Sequence, residues 1–214
     1  DRDKILTKWN SAEGSIETTL SVLGMASFPK SPKIEEGYVV TARAKDFVDV
    51  VLSDDKGKIR TNIFDENVRA YIGSDNEVNE EIIGTIEDVE RQRRFGVLNN
   101  GITIISPDVR VQGSEVFFKD FQIVNGCQTS NILFGEREKL TDDATLMLKI
   151  IETDDAGLID EIVRSTNRQS KVQDEQFLAT LDAIKAIERF FDARGADEEH
   201  RLYFERRTHQ FADE

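Results

Sequence analysis

Between Ile102 and Glu152 the chain lays down four short apolar runs, each the length of a strand and each closed off by turn residues. Ile102-Thr103-Ile104-Ile105, Val116-Phe117-Phe118 and Phe121-Gln122-Ile123-Val124 are rich in β-branched and aromatic residues, with Pro107 and Gly113 breaking them apart. Thr145 to Glu152 is the fourth, and Tyr38-Val39-Val40-Thr41-Ala42 is a similar run upstream. Helical periods surround these runs. Ala44 to Leu52 carries Phe47, Val48, Val50, Val51 and Leu52 and stops before Asp54 and Gly57, while Val78 to Glu90 places Val78, Ile82, Ile83, Ile86 and Val89 on one face. Ala156 to Ser165 and Asp174 to Arg194 are helical by period, the second with Phe177, Leu181, Ile184, Ile187 and Phe191 spaced for burial. Strands in the middle with helices before and after predict an α+β fold, a mixed β-sheet flanked by helices with a helical C-terminal part.

The ends read differently. Asp1 to Leu23 is polar, and its Ile5, Leu6, Trp9, Ile16, Leu20 and Leu23 recur at roughly helical spacing, which predicts one or two short helices. Pro29 and Pro32 fall within Ser27 to Lys33, where regular structure should lapse. The expected organisation is therefore a lead-in and linker over 1–33, an α+β domain over 34–194, and a tail or the start of a further element over 195–214. The chain opens Asp1-Arg2-Asp3 without an initiator methionine, so it reads as part of something longer.

Composition removes several chemistries. A single cysteine, Cys127, excludes an internal disulfide framework and a zinc site built from several thiolates. His200 and His209 are the only histidines, too few for an all-histidine metal centre, and no metal ligand is assigned. With 28 basic against 42 acidic residues and a formal net charge of −14, the chain is not one that coats nucleic acid nonspecifically, though a local basic groove is compatible with it. No apolar run approaches the roughly 20 residues that cross a bilayer, so a soluble protein without membrane contact is expected, and the lone thiol suits a reduced, cytoplasmic setting.

Three polar motifs interrupt the apolar pattern. In Leu98-Asn99-Asn100-Gly101-Ile102 an Asn-Asn-Gly turn feeds a strand, and two readings stand: a tight turn, or two carboxamides gathered where strand ends meet. In Ile123-Val124-Asn125-Gly126-Cys127-Gln128-Thr129-Ser130-Asn131 a strand ends in Asn-Gly and a helix opens through Ile132, Leu133 and Phe134. A glycine at that corner turns the first helical N–H groups outward, where they suit a phosphate or carboxylate; the plainer alternative is a helix capped by Asn125 or Thr129. Cys127 has no neighbouring histidine and reads as a buried structural thiol. The third motif, Ser165-Thr166-Asn167-Arg168-Gln169-Ser170-Lys171-Val172, joins two helices. Asn167 and Ser170 suit a helix stop and start, while Arg168 and Lys171 supply positive charge able to meet a phosphate. Arg91, Arg93 and Arg94 precede the Asn-Asn-Gly turn as a smaller basic cluster or a solvated helix end.

Together with Asn67-Val68-Arg69-Ala70-Tyr71-Ile72-Gly73 and Val78-Asn79 upstream, the motifs Asn99 to Ile104, Ile123 to Thr129 and Thr166 to Gln169 resemble, in order, those of the AIPR family, the abortive infection phage resistance proteins of bacteria. The resemblance runs from Tyr38 to about Ala179. It implies a role in phage defence, in gene neighbourhoods associated with restriction-modification, and a nuclease-type domain joined to this one in longer members. A more distant resemblance is to ParB/sulfiredoxin-like proteins, with Asn125 standing where those carry aspartate and Thr129 where they carry a phosphate-meeting arginine. A neutral amide is neither a general base nor a metal carboxylate, so that resemblance carries phosphate binding rather than hydrolysis.

The expectation is thus a defence-associated domain in which Asn99, Asn100, Gly101, Asn125, Gly126, Gln128, Thr129, Asn167, Arg168, Gln169 and Lys171 form one cleft for nucleic acid or nucleotide phosphate, with magnesium accompanying a nucleotide. Two other classes stay open. A nucleotide or phosphodiester hydrolase would need carboxylates, and Asp108, Asp120 and Glu161 are scattered without ligand spacing; a pure protein-interaction module needs only the acidic surface and the helical C-terminal part.

Overall fold

Alternation along β1 (Glu17–Ser21), with Thr18 and Leu20 buried between exposed Glu17, Thr19 and Ser21, already marks a half-buried strand rather than a helix. The structure is a computed structural model and describes residues 15–65, 77–167, 182–194 and 204. Within these residues β1 joins β6 (Glu115–Lys119) and β5 (Asp108–Gln112) in an antiparallel sheet of order β1-β6-β5. A larger sheet takes the order β2-β3-β8-β4-β7, from β2 (Gly24–Ser27), β3 (Gly37–Arg43), β8 (Thr145–Glu152), β4 (Ile102–Ser106) and β7 (Gln122–Asn125). Only β4 and β8 run parallel there; the other neighbours are antiparallel, so the sheet is mixed.

The helices are α1 (Ala44–Phe47), which continues as a π-helical stretch over Val48–Leu52, α2 (Glu77–Glu87), α3 (Val89–Gln92), α4 (Phe95–Leu98), α5 (Cys127–Gly135), α6 (Ala156–Asn167) and α7 (Asp182–Arg194). All five residues of β4 are buried, as a strand must be when both sheet faces are covered. On one face Ile102, Ile104, Ile123, Leu148 and Ile150 pack in the same core as Phe47, Leu52, Ile86 and Leu133. On the other, Ile105 and Val124 meet Val163 of α6, with Ile159 and Ile162 at the margin. Each such aliphatic side chain taken fully from water contributes roughly 1.5–3 kcal/mol, so α6 is held by fewer contacts than the central core.

The α+β class with a mixed sheet and flanking helices is what the apolar runs predicted. Four local expectations change. The lead-in over Asp1 to Leu23 is not helical in its described part: Ile16, Thr18 and Leu20 also fit period two, and β6 offers a ladder that a short isolated helix lacks. Ile5, Leu6 and Trp9 lie outside the described residues. The stretch Val78 to Glu90 is two helices, because Asp88 accepts hydrogen bonds from the N–H groups of Glu90 and Arg91 (2.9 and 3.2 Å) and starts α3 as its N-cap. Val89 is consequently 53% exposed and not part of the predicted face. Strands β2 and β5, with few large apolar residues, have no counterpart among the predicted runs. In α7, Ile184 and Phe191 are half-buried as their spacing suggests, whereas Ile187 is exposed; Phe177 and Leu181 lie outside the described residues.

At the end of β8 the backbone of Glu152 is tied to residues before β3, donating to the Glu36 carbonyl (2.7 Å) and accepting from the Glu35 N–H (3.2 Å). Partial burial pushes the Glu152 carboxyl above the usual range; a bond from the Val109 N–H opposes this, and the charges of Glu36, Asp108 and Glu35 add to it. A carboxyl that holds its proton more tightly folded than unfolded subtracts from stability once the pH rises through its folded pKa. Glu152→Gln is expected to raise the melting temperature at about pH 7, and the gain should shrink as the pH falls toward about 4, where the carboxyl is protonated anyway. Melting curves of the two proteins across that range check both the direction and its disappearance.

Candidate functional site

Antiparallel pairing of β4 with β7 places the beginning of one beside the end of the other, and that register brings the first two polar motifs together. Thr103 lies opposite Asn125 while Ile104 lies opposite Ile123, so Val124 is the extra residue of a β-bulge. The bulge bends β7 just before the chain turns into α5. Gly126 makes that turn at φ 91°, in the left-handed region, and a Cβ there would stand 2.7 Å from Ile102 Cγ1 and 3.1 Å from Ile102 Cα. Gly101 is similarly placed, at φ 78° with a would-be Cβ 2.7 Å from the Met147 carbonyl oxygen of β8. Both glycines thus serve close backbone approach in addition to turning.

Five carboxamides and a hydroxyl tie the junction together. Thr129 Oγ1 donates to Asn99 Oδ1 at 3.2 Å, joining α5 to the turn before β4. Asn125 Nδ2 donates to the Thr166 carbonyl at 3.0 Å, joining the end of β7 to the last turn of α6. Asn79 Nδ2 on α2 donates to Gln128 Oε1 at 3.3 Å. Asn131 Nδ2, one turn further along α5, donates to the Cys127 carbonyl at 2.9 Å and to its Sγ at 3.4 Å. Asn79 is wholly inaccessible to solvent, whereas Asn99, Asn125 and Gln128 are half-buried and Asn100 is exposed.

Of the predicted site residues, Asn99, Gly101, Asn125, Gly126, Gln128 and Thr129 meet at this junction, with Asn100 in the same turn. Asn167 ends α6, the helix held by Asn125. Arg168, Gln169 and Lys171 lie outside the described residues, as does Asn67 to Gly73. The helix-capping alternative takes an unexpected form. The N-cap of α5 is Gly126, with no side-chain cap; Asn125 satisfies a carbonyl at the other end of a different helix, and Thr129 bonds to Asn99. Asn79 was not among the predicted site residues, although it stands in the Val78-Asn79 element of the family pattern. A buried amide on a helix of otherwise ordinary amphipathic pattern gives no stronger signal.

The other candidates lie apart from the amides in their bonding. Arg93 is ion-paired to Glu90 and Asp143 at 3.2 and 3.1 Å. Asp108 pairs with Arg110, Asp120 accepts the Ile16 N–H at 3.0 Å, and Glu161 is exposed on α6. Among the described residues no group of three or more His, Cys, Asp and Glu side chains is placed to hold a metal ion. Cys127 is a buried free thiol.

These joined motifs are the ones on which the family resemblance rests. Residues 64–214 match the AIPR protein family, and the chain belongs to it. This is the bacterial family of abortive infection phage resistance proteins, which associates the chain with phage defence. No curated protein and no solved structure matches the chain. No helix among the described residues is long and apolar enough to cross a membrane.

Two substitutions test how the junction is built. Gly126→Ala combines a left-handed conformation, which costs an L-residue about 1–2 kcal/mol, with contact against the Ile102 backbone, so a loss of at least about 2 kcal/mol is expected in denaturant melts. Gly113→Ala, at φ 62° but facing open space, should lose only about 1 kcal/mol. Ser130, in the first turn of α5, has a fully buried Oγ without a hydrogen-bond partner. Removing a buried, unsatisfied hydroxyl is stabilising, so Ser130→Ala should gain about 1 kcal/mol, or about 2–4 °C in melting temperature.

Proposed function

We propose that this AIPR-family protein acts in phage defence by binding nucleic acid or nucleotide phosphate where the three polar motifs meet. The observation that carries the reading is that Asn125, Gln128 and Thr129, from one stretch of sequence, are bonded to the Thr166 carbonyl, Asn79 and Asn99, from three others. The opening of α5 at an uncapped glycine supplies a partial positive charge for an anion. Arg168 and Lys171 follow α6 directly in sequence and are assigned the remaining neutralisation; magnesium would enter with a bound nucleotide. A nuclease-type domain is the proposed partner in a longer protein. In the acidic remainder of the chain, repulsion of phosphate limits nonspecific binding.

One observation favours a second reading. Each of Asn99, Asn125 and Gln128 already holds an internal hydrogen bond, as it would in a module that only docks protein partners. A thermal-shift screen against nucleoside mono-, di- and triphosphates, cyclic nucleotides and short DNA and RNA, with and without magnesium, separates the two. A ligand present at about 100 times its Kd stabilises the folded state by about 2.7 kcal/mol, a rise of roughly 5–10 °C. Arg168→Ala is expected to abolish that rise while leaving the unliganded melting temperature unchanged. Gln128→Ala should also abolish it, with a lower starting temperature because Asn79 Nδ2 loses its acceptor. A flat response to every ligand would overturn the nucleotide reading and leave the docking module.

A further inference from the structure

Each sheet has one face with exposed side chains, and the two faces differ in charge. On the three-stranded sheet the cations are matched: Lys119 pairs with Glu17 across the β1-β6 register at 2.8 Å, and Arg110 pairs with Asp108 at 2.5 Å. The five-stranded sheet turns Val40, Leu148 and Ile104 into the core, and its opposite face is covered by α6 over β4 and β7 through Ile105 and Val124. Register places the remainder of that face. Val39, Lys149, Thr103 and Asn125 stand side by side on β3, β8, β4 and β7, with Thr41 beside Met147 and Arg43 beside Thr145 in the neighbouring rows. Thr41, Arg43 and Lys149 are exposed, as is Met147. At the edge, Phe28 donates its N–H to the Gly37 carbonyl (2.7 Å), and a Cβ on Gly37 would stand 3.1 Å from Phe28 Cδ2, so the exposed Phe28 ring lies on the same face.

In a chain with 42 acidic residues, no carboxylate occupies a position of β2, β3 or β8 that faces this way. Arg43 has Asp46 of α1 at 3.8 Å, whereas Lys149 makes no ion pair among the described residues. The two cations are one strand and four residues apart, about 14 Å, with the uncharged side chains of Val39, Thr41 and Met147 around and between them. Such a strip complements negative charges spaced along a body that also has apolar faces to pack. Single-stranded nucleic acid has that form, since its phosphates run along one side and its unpaired bases offer flat faces that a duplex hides. An acidic peptide supplies the charges without those faces. We propose that the open strip over β2, β3 and β8 binds a single nucleic-acid strand, with Lys149 and Arg43 meeting phosphates and Val39, Met147 and Phe28 packing against bases. The strip borders the amide junction, because a Cβ on Gly101 would stand 3.5 Å from Met147 Cβ. This inference rests on the nucleic-acid reading above and adds the form of nucleic acid and the surface along which it lies.

The experiment is fluorescence anisotropy of a labelled single strand of about 12 nucleotides, and of its duplex, with the wild-type chain, Lys149→Gln and Lys56→Gln over a series of salt concentrations. Lys56 lies in the turn closed by Asp54, outside both sheets, and controls for the loss of one surface charge. Melting temperatures of all three proteins verify that they are folded. The wild type should bind the single strand more tightly than the duplex. Lys149→Gln should weaken the single strand about tenfold and flatten the dependence of log K on log salt by about 0.7, the share of one phosphate contact, while Lys56→Gln changes neither. Equal losses in the two variants, or tighter binding of the duplex, would overturn the strip as a strand site. Displacement of the strand by polyglutamate as readily as by polyuridylate would overturn it too and assign the strip to an acidic protein segment. No binding of the strand, with nucleotides still raising the melting temperature in the screen above, would overturn this inference and leave the junction reading in place. No response to strand or nucleotides would remove both.

Discussion

Strand β4 has no free side: β8 pairs with it in parallel, β7 in antiparallel, and all five of its residues are buried. The two pairings set different demands. Parallel pairing with β8 requires a long connection, here the stretch that holds β5 to β7 and α5, whereas antiparallel pairing with β7 puts the end of that strand back at the beginning of β4. The polar junction is a consequence of this geometry. Residues about 25 apart in sequence, Asn99 and Asn125, end up on adjoining turns because one hydrophobic strand serves two partners.

The same junction explains why its amides have structural bonds and leftover groups together. A carboxamide has a donor end and an acceptor end, and an internal bond at one end orients the other. A side chain so held loses little rotamer freedom when a ligand arrives, which is the condition for selective binding by few groups. Internal bonding at Asn99 and Asn125 is therefore compatible with a binding role as well as with the scaffolding that it favours. Asn79 extends the logic inward: fully buried on α2, it bonds to Gln128 and so ties a helix outside the sheet to the first turn of α5.

How much of this was legible depended on the kind of signal. β4, β6, β7 and β8 were readable because buried strands leave dense β-branched and aromatic runs, and the three polar motifs stood out against that background. β1 was misread as helix because Ile16, Leu20 and Leu23 fit a helical period, while the deciding partner, β6, lies about 100 residues away. Leu23 turned out to be exposed, so the period that included it never described a buried face. The break at Asp88 was in principle visible as a capping residue inside a helical stretch. The meeting of Asn99 with Thr129 and of Asn125 with Thr166 was not, since each joins residues about 30 and about 40 apart in sequence, which no local pattern announces.

Charge gives the neutral junction its physical sense. A chain with a formal net charge of −14 repels polyanions at distance, and that repulsion is screened over about 10 Å at moderate salt. Recognition in such a chain is governed by short-range contacts, because the long-range field opposes any strand that is not held closely. Amides are suited to this regime, since they carry no net charge to be screened and act only within hydrogen-bond distance. A basic groove would instead gain affinity for every phosphate backbone and lose discrimination with it. Fixed amides placed where the chain turns tightly, within an acidic body, can contribute only to contacts made at hydrogen-bond distance.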